Sequence, residues 1–481
     1  MSKQKNTTPR DRMTGCFSED TALLDSMLRV SESFDLVARD LEFAGKKARL
    51  YFVDGFAKDD TILKLITSLE GVTPEDADAC ADAAQLANRY IPYLEVETES
   101  SFEKLVSQIL SGPQALLIEG FSSAVLIDAR EYPTRSLQEP ENDRVLRGAR
   151  DSFSETLIVN TALLRRHIRS PGLTVCHYTI GKVSCTDVAV VYQKDRVDPK
   201  QLAAMEAKLF ALSLRSLTMG QESLAEALIG RAWYNPFPKV RYTERPDTAA
   251  ATVNEGGIIV IVDATPSAMI LPTGFFDFFQ DTNDYYFPPL IGSYLRLTRY
   301  LIYFLTLMLT PTWFLLVKNP HWAFSQLDFI RIEEMNGVPL LIQLLIIELI
   351  IDCLKQAALN TPSALGSSFS AVSALILGEF AVSAHWFVEQ VLLYMGFVAV
   401  ANFAQPSFEL GYAFKLCRIL MIVLVAAFNV WGYLGGVLII TLLIASTPTV
   451  TGQSYLYPLI PFDGKKLRRL IFRQRITREN S

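Results

Sequence analysis

Apolar and polar positions in the first 285 residues fall into short blocks, and two of those blocks occur twice. Ala48–Phe56 (ARLYFVDGF) is an apolar run of strand length, followed by Asp59 and Asp60 as caps for the helical period of DTILKLITSL. Asp187–Asp195 (DVAVVYQKD) repeats the run, and Asp198-Pro199 opens the helix after it. The second block pairs Leu116–Ile127 (LLIEGFSSAVLI) with Ile259–Leu271 (IVIVDATPSAMIL), each reading as two strands around a polar turn. Ser123-Ala124 then aligns with Ser267-Ala268. Offsets of about 139 and 144 residues keep the order and spacing of the blocks. The pattern predicts two similar tandem α/β subdomains, joined by a helix within Ser152–Ile168.

Beyond residue 285 the pattern changes to long apolar runs. Thirteen charged residues lie between Leu301 and Leu459, and Ile419–Phe462 is a stretch of 44 residues with none. That stretch is about twice the length a spanning helix needs. Tyr300–Val317 reads as a first span, kinked at Pro311, with Arg296 and Arg299 at its cytoplasmic edge. Val338–Leu354 is a second, interrupted by Glu348 and Asp352. Ala364–Phe380, rich in Ser, Ala and Gly, fits a crossing or a re-entrant helix, and Trp386–Phe403 is a further span. The uncharged stretch divides at Gly432, Gly435 and Gly436 into helices over 414–431 and 434–444. The expected layout is a flexible terminus (1–30), subdomain 1 (31–140), a linking helix with subdomain 2 (141–285), an α-helical multi-pass membrane domain of four to six spans (286–452), and a basic tail (453–481).

Charge assigns the sides of the membrane. The first twenty residues lack the apolar core of a secretory signal, and seven Lys and Arg residues crowd 465–478, which places both termini in the cytoplasm. A net charge of −6 disfavours nucleic acid as a partner. Six cysteines without paired spacing indicate neither a disulfide framework nor a zinc site.

Catalytic chemistry finds little footing. Four histidines, and the absence of GxSxG, HExxH or a phosphate-binding glycine loop, point away from an enzyme and leave no cofactor motif. His177 beside Cys176 and near Cys185 reads as a packed or exposed strand residue. Acids in the apolar half carry more information, because charge in hydrocarbon is costly. Glu348 and Asp352 share a helix face, while Glu379 and Glu389 flank the next segments; all four are candidates to line a hydrated cation path. Pairing with Lys415 and Arg418 is the alternative. Ser367, Ser370 and Ser373 are further pore candidates in an oligomer.

Several segments resemble a known family. Arg147 onward (RGARDSFSETLIVNTALLRRHIR), Asn235 onward (NPFPKVRYTERPDTAA), Ile258 onward (IIVIVDATPSAMILPTGFFDFFQDTNDYYF) and IGSYLRLTRY are similar to the A-subunit family of GerA-type spore germinant receptors. VRYTERPD, VDATPSAMILPT and YLYPLIPF most resemble its stage V sporulation protein AF branch, whereas GFFDFFQDTNDYYF is closer to the receptor A subunits. The resemblance implies a germination protein of the spore inner membrane that assembles as a homo-oligomer, a pentamer, conducting ions. It further implies B-type and C-type receptor subunits, or a small membrane protein, as partners. A non-conducting membrane scaffold or a nutrient-receptor subunit that signals to partner proteins, and a secondary transporter, remain as alternatives.

Overall fold

The computed structural model describes residues 11–133, 143, 145, 147–230, 234–322, 332, 337–360 and 386–473, with side chains of 358–360 excepted. The chain forms two compact units: one of residues up to 230 with 240–272 and 450–452, and one of 231–239, 273–449 and 453–481.

The first unit contains two five-stranded sheets. Its earlier half runs α1 (Phe17–Leu28), β1 (Leu36–Phe43), β2 (Lys46–Val53), α2 (Asp59–Glu70), α3 (Pro74–Asp78), α4 (Ala83–Tyr90), β3 (Val96–Glu99), α5 (Phe102–Ser111), β4 (Gln114–Ile118) and β5 (Ala124–Ile127). Its later half runs α6 (Leu157–His167), β6 (Leu173–Ile180), β7 (Thr186–Gln193), α7 (Pro199–Ala211), α8 (Gln221–Ile229), β8 (Arg241–Thr243), α9 (Pro246–Asn254), β9 (Ile258–Val262) and β10 (Ala268–Leu271). The sheet orders are β1-β2-β4-β5-β3 and β6-β7-β9-β10-β8, the same topology twice, with helices at corresponding places. Equivalent pairs even keep register: Leu116 faces Val125 in one sheet, and Val260 faces Met269 in the other. The duplication read from the sequence is therefore present in the fold.

Every described strand pair is antiparallel, a direction the sequence reading left open. Helices cover both faces: Leu116 and Ile118 pack with α2 and α4, while Ala115 and Leu117 pack with α1 and α5. A strand buried on both faces loses its polar alternation and reads like a parallel-sheet strand. Residues 17–28, expected within a flexible terminus, form α1, whose Leu24 and Leu28 enter the first core. Asp59 and Asp60 occupy the first turn of α2 rather than its cap; the capping residue is Lys58, with no side-chain bond. Asp198 does cap α7, accepting from the Lys200 N–H.

A buried clamp joins the two halves. Arg165 on α6 donates to both carboxylate oxygens of Asp35 (2.6 and 2.9 Å) and to the Ser33 hydroxyl (3.2 Å). The Val175 N–H donates to that hydroxyl (3.0 Å), and the Phe34 N–H donates to the Val175 carbonyl (2.8 Å). Arg165 and Asp35 are essentially sealed from solvent.

The second unit is helical: α10 (Pro289–Lys318), α11 (Leu340–Asn360), α12 (Glu389–Phe403), α13 (Phe408–Ser446) and α14 (Gly464–Ile471). α10 and α13 are long and apolar enough to cross a membrane. α10 contains Pro311, as expected. α13 is two helices merged across a kink, and the break lies at Asn429 (φ 52°, ψ −127°) rather than at the glycines. Asn429 and Asn319 exchange side-chain hydrogen bonds (2.7 and 3.0 Å), and Lys318 Nζ donates to the Val425 and Ala426 carbonyls ahead of the turn (3.2 and 2.8 Å). The glycines have a different task. A side chain at Gly432 would lie 1.9 Å from the Leu424 carbonyl oxygen, so its absence lets the arms close.

Candidate functional site

At the start of α10, segments far apart in sequence meet as a collar of charged and aromatic side chains. Arg296 and Arg299 lie one turn apart in part because IGSYLRLTRY is helical, and short 3-10 turns over Phe275–Phe279 and Thr282–Tyr285 bring two acids to them. Asp284, fully buried, accepts from Arg296 Nε (3.0 Å) and from both terminal nitrogens of Arg299 (3.0 and 3.1 Å). Asp281 pairs with Arg299 at 3.4 Å. Removing two carboxylates and two guanidinium groups from water is tolerable only with this degree of mutual bonding.

Aromatic packing continues the collar. Tyr455, with no exposed surface, donates its hydroxyl to the Pro238 carbonyl (2.6 Å), and its own carbonyl accepts from the Phe275 N–H (2.8 Å). Burial pushes the Tyr455 phenol well above its ordinary range, so it stays a neutral donor. Phe414 of α13 makes edge contacts with Phe237, Phe275 and Tyr303, and Phe279 packs on Tyr300 and Tyr303 of α10. Asn235 donates to the Thr447 hydroxyl (2.6 Å) at the far end of α13. The segments NPFPKV, GFFDFFQDTNDYYF, IGSYLRLTRY and YLYPLIPF therefore converge on one place. Sequence reasoning put Arg296 and Arg299 near an interface but missed their acids; the DTND stretch beside two arginines was the available signal.

Deeper among the helices, the candidate acids divide. Glu348 and Asp352, one turn apart on α11, meet Lys415 and Arg418, which are three apart on α13. Arg418 Nε donates to Glu348 (2.6 Å) and its Nη1 to the Thr306 carbonyl of α10 (2.7 Å). Lys415 donates to the Glu348 carbonyl (2.9 Å) and pairs with Asp352. Two negative and two positive groups thus form a paired quartet across α11 and α13, in which Arg418 Nη2 is buried without a hydrogen-bond partner among the described residues. Glu389 stands apart, exposed in the first turn of α12, where a carboxylate suits the helix dipole. Glu379, Ser367, Ser370 and Ser373 lie outside the described residues.

Other candidates hold no chemistry together. His177 stacks on Phe34 (4.8 Å) and pairs with Asp187 (3.0 Å), while the neighbouring Cys176 thiol is half-buried and pushed up by desolvation. Among the described residues, no three His, Cys, Asp or Glu side chains gather as a metal site. Arg245 of the VRYTERPD segment is buried, donating to Asp247 (2.6 and 3.0 Å) and to the Ala149 carbonyl (3.0 Å), a structural tie to the RGARDSF segment.

Tandem antiparallel sheets followed by membrane-length apolar helices define the class of protein. The family described as Bacillus/Clostridium GerA spore germination protein matches residues 24–481. Stage V sporulation protein AF of Bacillus subtilis (strain 168) is 35% identical over 443 residues, 92% of this chain and 89% of that protein. Spore germination protein KA of the same organism is 27% identical, covering 94% and 83%; GerLA of Bacillus cereus is 27% identical, covering 89% and 87%. The chain belongs to the GerA spore germination protein family, as its motifs suggested. The crystal structure of the N-terminal domain of the A subunit of the Bacillus megaterium spore germinant receptor GerK3 aligns with a TM-score of 0.43 at 24% identity, over 55% of this chain and 97% of that one.

Proposed function

We propose that this chain is a germination protein of the spore inner membrane and a subunit of an oligomeric channel for monovalent cations. Its helical region crosses the bilayer four or six times with both termini in the cytoplasm. Its partners are further copies, a pentamer by family resemblance, together with B-type and C-type receptor subunits or a small membrane protein. The collar is the observation that carries this reading. It fixes the heads of the two membrane-length helices to a rigid aromatic and ionic knot, the sort of element through which a signal reorients helices. Glu348, Asp352, Glu379 and Glu389 remain the proposed ion-pathway groups, with Glu348 and Asp352 freed from Lys415 and Arg418 in the conducting state.

One observation favours a second reading. Glu348 and Asp352 are already ion-paired with Lys415 and Arg418, which suits a non-conducting scaffold whose helices only anchor the sheets. Potassium flux from liposomes holding the purified chain, with mass photometry of its oligomeric state in detergent, separates the two. Flux from a defined oligomer supports the channel; a folded oligomer without flux supports the scaffold.

A further inference from the structure

Beside the collar, the structure presents a cationic surface, and three guanidinium nitrogens next to it, one of Arg296 and two of Arg473, have no hydrogen-bond partner among the described residues. α14 carries Lys465, Lys466, Arg468 and Arg469, all exposed, while Leu467, Leu470 and Ile471 are half-buried. Just before it, Leu459, Ile460 and Phe462 are 43%, 55% and 74% exposed, an unusual amount of apolar surface next to so many cations. The helix is tied to the head of α10. Arg296 Nη1 donates to the Arg469 carbonyl (2.8 Å), the Arg473 N–H to the Ser293 hydroxyl (3.1 Å), and Arg473 Nη2 to the Tyr285 carbonyl (2.7 Å). Gly292 makes room, since a side chain there would come within 2.8 Å of Arg473 Cδ.

Arg296 is 3% exposed and its guanidinium lies over the Tyr285 ring (5.1 Å); among the described residues its Nη2 has no hydrogen-bond partner, and Arg473 Nε and Nη1 are also buried without one. Buried donors are nearly always satisfied, so a group left this way needs an acceptor. Asp281 and Asp284 already match Arg296 and Arg299, and Arg473 makes no ion pair among the described residues. A third guanidinium therefore leaves the site positively charged, and the missing acceptor is an anion.

We infer that α14 and the head of α10 form a docking site for the phosphate of an anionic phospholipid, with Arg473 and Arg296 binding the phosphate, the α14 cations facing neighbouring headgroups, and Leu459, Ile460 and Phe462 entering the acyl boundary. The inference rests on the membrane reading above. Guanidinium groups suit phosphate because their planar donors bind it through two atoms at once. A basic helix next to exposed apolar residues is the pattern of an interfacial segment. An inorganic phosphate would satisfy the guanidiniums but give the apolar residues nothing to cover them.

The test uses the full-length chain in uncharged detergent, with phosphatidylglycerol, phosphatidylcholine or inorganic phosphate added and retained ligand counted by native mass spectrometry. Phosphatidylglycerol should be retained in preference to phosphatidylcholine. Arg473→Gln should lower that retention at least about five-fold, the worth of one cation at an anionic surface. Lys465→Gln with Lys466→Gln, on an exposed face where folding is not at risk, should lower it as well. Equal retention of the two lipids, undiminished retention in folded Arg473→Gln, or retention of phosphate with no lipid preference would each overturn the site. Alkaline carbonate extraction of membranes checks the premise separately. A chain released by carbonate fails the membrane reading and this inference with it, whereas a chain that stays but shows no lipid preference fails this inference alone.

Discussion

The helical unit contains two ionic clusters made from the same kinds of group, and their surroundings set them apart. Around Glu348, Asp352, Lys415 and Arg418, each acid pairs with a base of a neighbouring helix, and α10 adds the Thr306 carbonyl. Around Asp281, Asp284, Arg296 and Arg299 the charges are paired as well, but the adjoining Arg473 makes no ion pair among the described residues. Pairing alone does not define a role. A cluster whose acids and bases are all paired holds helices in register or must be opened to act, whereas one with a guanidinium left over is shaped for something that arrives from outside.

The comparison can be broken first at Arg418. Removing one member of a buried pair strands the other, so Arg418→Met should cost about 3 to 5 kcal/mol in the unfolding of the full chain in detergent. Adding Glu348→Leu should restore much of the loss. A single variant as mild as a surface change would mean the quartet is hydrated. Arg165→Met tests a third buried pair, outside the apolar helices. It should cost about 3 kcal/mol by stranding Asp35, and hydrogen exchange should speed up around Ser33 and Val175; protection unchanged at both would show that the clamp does not join the halves.

Smaller effects sharpen the picture. Tyr455→Phe removes the bond to Pro238 and leaves a buried carbonyl short of a donor, which should cost about 1 kcal/mol. The weakest expected effect is on pH. The hydrogen bond from His167 holds the Asp151 carboxyl below its usual range against the opposing effect of burial. A depressed folded value means that its stabilisation is present above the unfolded value, about pH 4, and is lost as pH falls through the folded value. His167→Gln should flatten that acid limb of the thermal midpoint; an unchanged limb would assign it to other carboxylates.

Much of the sheet region was legible because duplication repeats both the apolar runs and their turn chemistry, as at Ser123-Ala124 and Ser267-Ala268. Pairing direction was not, since burial on both faces erases the alternation that marks an antiparallel strand. The Gly432–Gly436 stretch announced a tight hairpin, yet the turn falls at Asn429, because glycines were needed for close approach rather than for reversal. The spacing of Lys415 and Arg418 made pairing with Glu348 and Asp352 readable as an alternative. The collar was hidden, since Pro238 and Tyr455 are 217 residues apart and only folding brings them together.

Asp352 provides the most direct test of the proposed function. It is part-exposed and held chiefly by Lys415, so Asp352→Asn should fold while removing one acid from the proposed path. Potassium flux from liposomes should be present with the wild-type chain and altered in rate or selectivity by this variant. Flux identical in the two would contradict a cation path past the quartet.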